Sequence, residues 1–145
     1  MIRHWLRCDT RGSTTVEFAV VGMLLCLVTT GVIETALLWW LKTGMQLTAS
    51  LTARCGAMGY TYGTSKFLCT STLTTQNYAV TTSYKWLSSG MITATNVTVH
   101  GRVTSCNGFA GNFFSVSLVS DYFSFLPPPL GNYTTLATNA CFPMQ

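Results

Sequence analysis

Few side chains in this sequence are equipped for chemistry. Among 145 residues there are four acids (Asp9, Glu17, Glu34 and Asp121), two histidines and six cysteines. Glu17 carries the most information. It opens the run VEFAVVGMLLCLVTTGVIETALLWWL at residues 16–41, in which Glu17 and Glu34 are the only charged residues. A carboxylate at the centre of a membrane helix costs about 2.5–3.5 kcal/mol on insertion scales, and less near an interface, so an acid retained there is a functional hypothesis by default. Two local roles compete for it. Thr14-x-x-Glu17 is a capping-box pattern that would satisfy orphan N–H groups at a helix start. Ser13 and Glu17 are also four residues apart, on one helical face, where they can pair within one chain.

The remaining polar groups assemble no catalytic set. His4 lies near the N-terminus, His100 falls on the polar side of an alternating segment, and Asp121 is the only acid after Glu34. No nucleophile, base and acid can be grouped, no G-x-S-x-G is present, and no Gly-rich phosphate loop follows a strand. The sequence is therefore read as non-enzymatic, without cofactor or metal. The cysteines contain no C-x-x-C pair, which disfavours zinc. The net charge is +4, and half of it sits in the first eleven residues, where Arg3, Arg7 and Arg11 face only Asp9. The near-neutral remainder lacks the clustered basic footprint of a nucleic-acid binder.

Charged residues make up 8% of the chain and the mean hydropathy is +0.36. Ordinary soluble domains carry about 25% charged residues, and disorder requires low hydrophobicity with high charge. One membrane helix and one small domain account for both figures. A bilayer core of about 30 Å needs roughly 20 apolar residues as helix. Residues 13–34 rise about 31 Å at about 1.5 Å each, which places Glu34 at the far interface, within reach of water. Trp39 and Trp40 follow at the depth of an aromatic belt, and the N-terminal arginines set that end on the cytoplasmic side. The apolar run is too long for a secretory h-region and no A-x-A site follows it. Residues beyond Lys42 are expected outside the cytoplasm. Gly22 and Gly31 make no GxxxG pair, and Cys26 is read as a membrane-buried thiol packing as a small hydrophobe.

Beyond the membrane segment, Met45, Leu47, Leu51 and Met58 predict a patchy apolar stripe on a continuing helix that Gly56 or Gly59 would end. Residues 60–73 read as a loop. Val80, Tyr84 and Leu87 predict a second helix over 76–89, with Gly90 beyond its end. Residues 95–105 alternate, with Val97, Val99, Gly101 and Val103 on one side and Thr98, His100, Arg102 and Thr104 on the other, as a half-buried strand does. A second strand spans 113–125, with a turn from Asn107-Gly108 to Asn112 before it. Pro127-Pro128-Pro129 cannot continue a central strand, Gly131-Asn132 turns the chain, and a third strand spans 133–141. The fold class expected is α+β: a long N-terminal helix, membrane-spanning in its first half, packed against a three-stranded antiparallel meander. Phe113, Phe114, Tyr122, Phe123 and Phe125 suit either a binding face or core and cross-strand pairs. The cysteines outside the membrane are Cys55, Cys69, Cys106 and Cys141. They allow three pairings, among which sequence does not choose. Cys55–Cys69 with Cys106–Cys141 is the expectation adopted; the first would close a loop of about 15 residues, worth roughly 3 kcal/mol in the chain-entropy model.

The leader carries a processing signal of another kind. A basic segment ends Arg11-Gly12, and Glu17-Phe18 follows after Ser13-Thr14-Thr15-Val16, where the apolar helix opens. This resembles the type IV prepilin site. RGSTTVEFAVVGMLLCLVTTGVIET further resembles the opening of TadE-like pseudopilins of the tight-adherence (type IVb) pilus system, which typically read RRG, an AVEFA-like core, a leucine-rich run and G-I-I-E. Here the last element is Gly31-Val32-Ile33-Glu34. ASLTARCGA at residues 49–57 approximates the family's next element. VTVHGRV, FSFLPPPLG and TTLATNA are similar in style to its later strands. The resemblance is good over residues 11–59 and loose over 92–141. It implies a leader at 1–12, a transmembrane helix at 13–41, a helix extension at 42–59 and an extracytoplasmic domain at 60–145. It also implies cleavage between Gly12 and Ser13 by a prepilin peptidase, and an assembly role for Ser13, Glu17 and Phe18. The new amine at Ser13, with a reference pKa of about 7.7–8.0, would pair with the glutamate of a neighbouring subunit. The partners implied are the peptidase, other pilin and pseudopilin subunits and membrane lipid, in the inner membrane or, once assembled, at the cell surface. The length suits a minor subunit. The alternative is an uncleaved membrane anchor that presents an extracytoplasmic binding domain.

Overall fold

The computed structural model describes residues 11–62, 69–123 and 133–144. His4, Cys8 and most of the leader, Phe125, the triple proline and the Gly131-Asn132 turn lie outside the described residues. The chain divides into two units after Ala36. In the first, the helix α1 (Arg11–Tyr62) presents apolar side chains that no protein covers. Its hydroxyls are satisfied locally. Thr29 Oγ1 donates to the carbonyl of Leu25 at 2.9 Å, Thr30 Oγ1 to that of Cys26 at 2.9 Å, and Thr35 Oγ1 to that of Gly31 at 3.1 Å. Such back-bonding removes the need for water at these groups.

The second unit, Leu37–Gln145, holds the core. From Leu41 onward the buried positions of α1 are Leu41, Gly44, Met45, Thr48, Ala49, Thr52, Ala53, Gly56, Ala57 and Gly59, recurring at the spacing of one helical face. Apart from Leu41 and Met45 these are small residues. Leu47 is exposed, and Leu51 and Met58 are only partly buried, so the predicted stripe of bulky residues is a correction: of its members only Met45 faces the core. The small residues matter because the sheet sits close to the helix. A Cβ on Gly56 would lie 2.1 Å from Cε1 of Phe114, and one on Gly59 would lie 2.0 Å from the carbonyl oxygen of Cys69. Neither glycine ends the helix, as the sequence suggested; both remain helical and admit a neighbour.

Helix α2 spans Thr72–Ser83 rather than 76–89, because Ser71 caps it. The Ser71 hydroxyl accepts from the backbone N–H of Thr74 at 3.3 Å, and Thr74 Oγ1 accepts from the backbone N–H of Ser71 at 2.9 Å, a reciprocal capping box. Gln76 Nε2 donates to the carbonyl of Val97 at 2.9 Å and ties α2 to the first strand.

Three antiparallel strands follow in the order β1-β2-β3: β1 (Val97–Cys106), β2 (Phe109–Phe123) and β3 (Tyr133–Pro143). The expected α+β meander is thus present, with moved boundaries. The β1–β2 turn is only Asn107 and Gly108, with φ of 49° and 86°. Two positive φ values are the type I′ hairpin geometry, whose twist matches that of the strands. The pairing therefore begins at Cys106↔Phe109, and residues expected in a longer turn belong to β2. Burial along β1 alternates as predicted, and Phe114, Val116, Leu118 and Tyr122 of β2 are buried.

Candidate assembly and processing site

Helix α1 carries Gly12, Ser13, Glu17 and Phe18 within its first turns. Helical spacing places Ser13 and Glu17 one turn apart on one face. Glu17 is exposed, Phe18 is 80% exposed, and Glu17 has no hydrogen-bond or ion-pair partner among the described residues. The helix is already running at Arg11, so Thr14 is an interior residue and not an N-cap. The capping-box reading of Thr14 and Glu17 is corrected on that ground. Around Glu17 the exposed side chains are Val16, Val20, Val21, Met23 and Leu24. An acid among so many exposed apolar side chains is costly wherever such a helix is placed in lipid, and less so near an interface.

Glu34 departs from expectation. It is only 7% exposed, and it is engaged within the chain rather than reaching water. It precedes Leu38 by four residues and Leu41 by seven, and so occupies the helical face that those residues use. Cys26 is a free thiol on the part of the helix that no protein covers, within the candidate membrane span.

Both expected disulfides are present. Cys55 of α1 is bonded to Cys69, with Cα atoms 5.6 Å apart, and Cys106 of β1 to Cys141 of β3, with Cα atoms 6.4 Å apart. The first works together with Gly59. Cys69 is bonded to the side chain of Cys55, and its carbonyl passes against the bare Cα of Gly59 one turn further on. The second ties the two outer strands of the sheet.

The polar groups outside the helix remain dispersed. His100 Nε2 lies 2.9 Å from the Ser117 hydroxyl on the exposed face of the sheet, while Asp121 accepts from the Thr135 hydroxyl at 3.0 Å. Among the described residues, no group of three or more His, Cys, Asp or Glu side chains comes together. Of the late aromatics, Phe114 and Tyr122 are core, Phe113 is half-buried, and Phe109, which the sequence did not single out, is exposed.

Among the described residues one helical stretch, Thr14–Gly59, is long and apolar enough to cross a membrane; its most apolar window has a mean hydropathy of 2.2 and is entirely unburied. Residues 12–54 match the TadE-like protein family. Over this segment the chain is similar to TadE-like proteins. The match begins at Gly12, runs through Glu17 and the apolar run, and ends beside Cys55. No curated protein and no solved structure matches the chain.

Proposed function

We propose that this TadE-like chain is a minor pilin, or pseudopilin, of a Tad-type adhesive pilus. In this reading it is stored in the inner membrane with its N-terminus cytoplasmic and its domain periplasmic. A prepilin peptidase cuts it between Gly12 and Ser13, and the remaining chain joins the fibre through its helix. One observation carries the reading: within the TadE-like segment, Glu17 is an exposed carboxylate with no partner among the described residues, on the stretch of α1 that no protein covers. Cleavage supplies the missing counter-charge. Each processed subunit then holds one amine at Ser13 and one carboxylate at Glu17, and pairing them between neighbours offsets the cost of keeping either charge in an apolar bundle. A single buried polar pair in an otherwise apolar interface also sets register, as a lone polar residue does in a coiled coil. Phe18 and the valines and leucines after it supply the contact area, which lipid solvates before assembly and neighbouring helices cover afterwards. The role is structural and no reaction is assigned to the chain.

The test is the N-terminal residue and mass of the protein recovered from membranes of cells with and without a prepilin peptidase. A start at Ser13 that depends on the peptidase is the expected result. A start at Met1 in both strains removes the amine and the assembly role with it, and leaves a fixed anchor that presents a disulfide-bonded domain.

A further inference from the structure

Trp39 and Trp40 close the apolar run, and the fold brings a third tryptophan to them. The indole N–H of Trp40 donates to the carbonyl oxygen of Trp86 at 3.1 Å. Gly44 makes this approach feasible, since a Cβ there would lie 2.8 Å from Cδ2 of Leu87 and 3.7 Å from Cβ of Trp86. Leu87 is buried, and the segment 84–91 is folded on itself, with the backbone N–H groups of Trp86 and Leu87 both donating to the carbonyl of Ser83 and that of Met91 to the carbonyl of Ser88. Buried Leu87 holds this segment against Gly44 of the helix, and the Ser120 hydroxyl, donating to the carbonyl of Met91 at 3.3 Å, ties its end to β2. What the segment presents outward is large and apolar: Trp86 is 45% exposed beside Trp40 at 65% and Trp39 at 72%, with Tyr84 and Met91 also exposed. Lys85 is exposed within the same segment, and Lys42 is exposed two residues after Trp40. Residues 35–145 carry five cations (Lys42, Arg54, Lys66, Lys85 and Arg102) against one acid, Asp121.

Continuity and charge indicate what covers this surface. Trp and Tyr rings with a polar edge favour the headgroup level of a bilayer. Trp40 reaches that level because the apolar run ends there, and a hydrogen bond holds Trp86 at Trp40. Flanking lysines add attraction to an anionic leaflet. We infer that the segment 84–91 is a second membrane-interface anchor, which rests with Trp39 and Trp40 among the headgroups of an anionic bilayer while the subunit is stored there. The inference rests on the membrane-stored reading given above.

The test uses the full chain labelled with fluorotryptophan in nanodiscs of phosphatidylethanolamine with about a quarter phosphatidylglycerol. The fluorine resonances are assigned with Trp39→Phe, Trp40→Phe and Trp86→Phe, each made singly. A gadolinium chelate is carried on a lipid headgroup or, in a parallel sample, free in solution. Headgroup gadolinium should relax Trp86 to within about two-fold of Trp39 and Trp40, the depth that an aromatic belt shares, and Lys85→Gln should weaken the Trp86 response when phosphatidylglycerol is present. Relaxation of Trp86 by the soluble chelate alone, with Trp39 and Trp40 still responding to the lipid, would overturn the anchor and leave the membrane reading standing. Silence of all three toward the lipid would overturn the membrane reading and the anchor together. Shielding of Trp86 from both chelates, growing with protein density, would assign the surface to a second copy of the chain and overturn the lipid.

Discussion

Under the assembly role proposed for it, replacing Glu17 should affect incorporation into fibres and leave helix stability unchanged. The structure leaves no capping work for it, since the helix runs through Thr14, so its removal should cost the isolated helix little. Glu17→Ala and Glu17→Gln should both be cut normally at Gly12, and both should be depleted from sheared fibres relative to membranes, as read by immunoblot. Normal incorporation of either variant would reduce the carboxylate to a surface charge. The glycines of α1 make a second contrast at this scale. Gly56→Ala places a methyl group against the buried ring of Phe114, and overpacking of that kind costs about 1–3 kcal/mol. Gly31 has nothing within 4 Å of its would-be Cβ, so Gly31→Ala should leave the stability of the single chain unchanged or raise it by up to about 1 kcal/mol through helix propensity. Thermal unfolding in detergent, followed by near-ultraviolet circular dichroism, distinguishes the two. Glycine alone does not announce which case applies, because the difference lies in what the tertiary fold places opposite.

Local rules decided more of the element boundaries than apolar periodicity did. Val80, Tyr84 and Leu87 suggested a helix displaced toward the C-terminus, whereas the Ser71–Thr74 box starts α2 earlier and the buried positions Thr75, Ala79, Thr82 and Ser83 are small or polar. The hairpin follows the same lesson. Asn107-Gly108 is a two-residue turn signal in its own right, and reading it as the first part of a longer turn delayed β2 by four residues. Gly108→Ala forces a side chain into left-handed backbone, at about 1–2 kcal/mol, and should loosen the hairpin without touching the core. Amide exchange should accelerate at Cys106 and Phe109, at the turn end of the ladder, and stay slow near Val116. In β1, Gly101 at φ 66° sits where the β1–β2 register shifts between Val99 and Gly101, an irregularity that the alternating pattern conceals.

At the scale of the molecule, the two units differ in what they expose. Between Val16 and Ile33 the large apolar side chains are exposed, while the unit from Leu37 onward buries a core around Phe114, Val116, Leu118 and Ile92 and is stapled by two disulfides. Removing the first staple with Cys55→Ser and Cys69→Ser together should cost about 2–5 kcal/mol, seen as faster proteolysis near Cys69 with the sheet retained. Replacing Cys106 and Cys141 should instead free the outer strands. The sequence by itself determined the membrane-length helix, the position of Glu17, the α+β class, the three strands and the facing of their residues. These follow from composition and from periods of two and about 3.6 along a single segment. Only the tertiary structure decided that the small face of α1 receives the sheet, that Glu34 is buried, that Phe114 closes on Gly56 and that Trp86 meets Trp40. Each of these depends on which atoms lie opposite across long stretches of chain, and a pattern confined to one segment carries no trace of its partner.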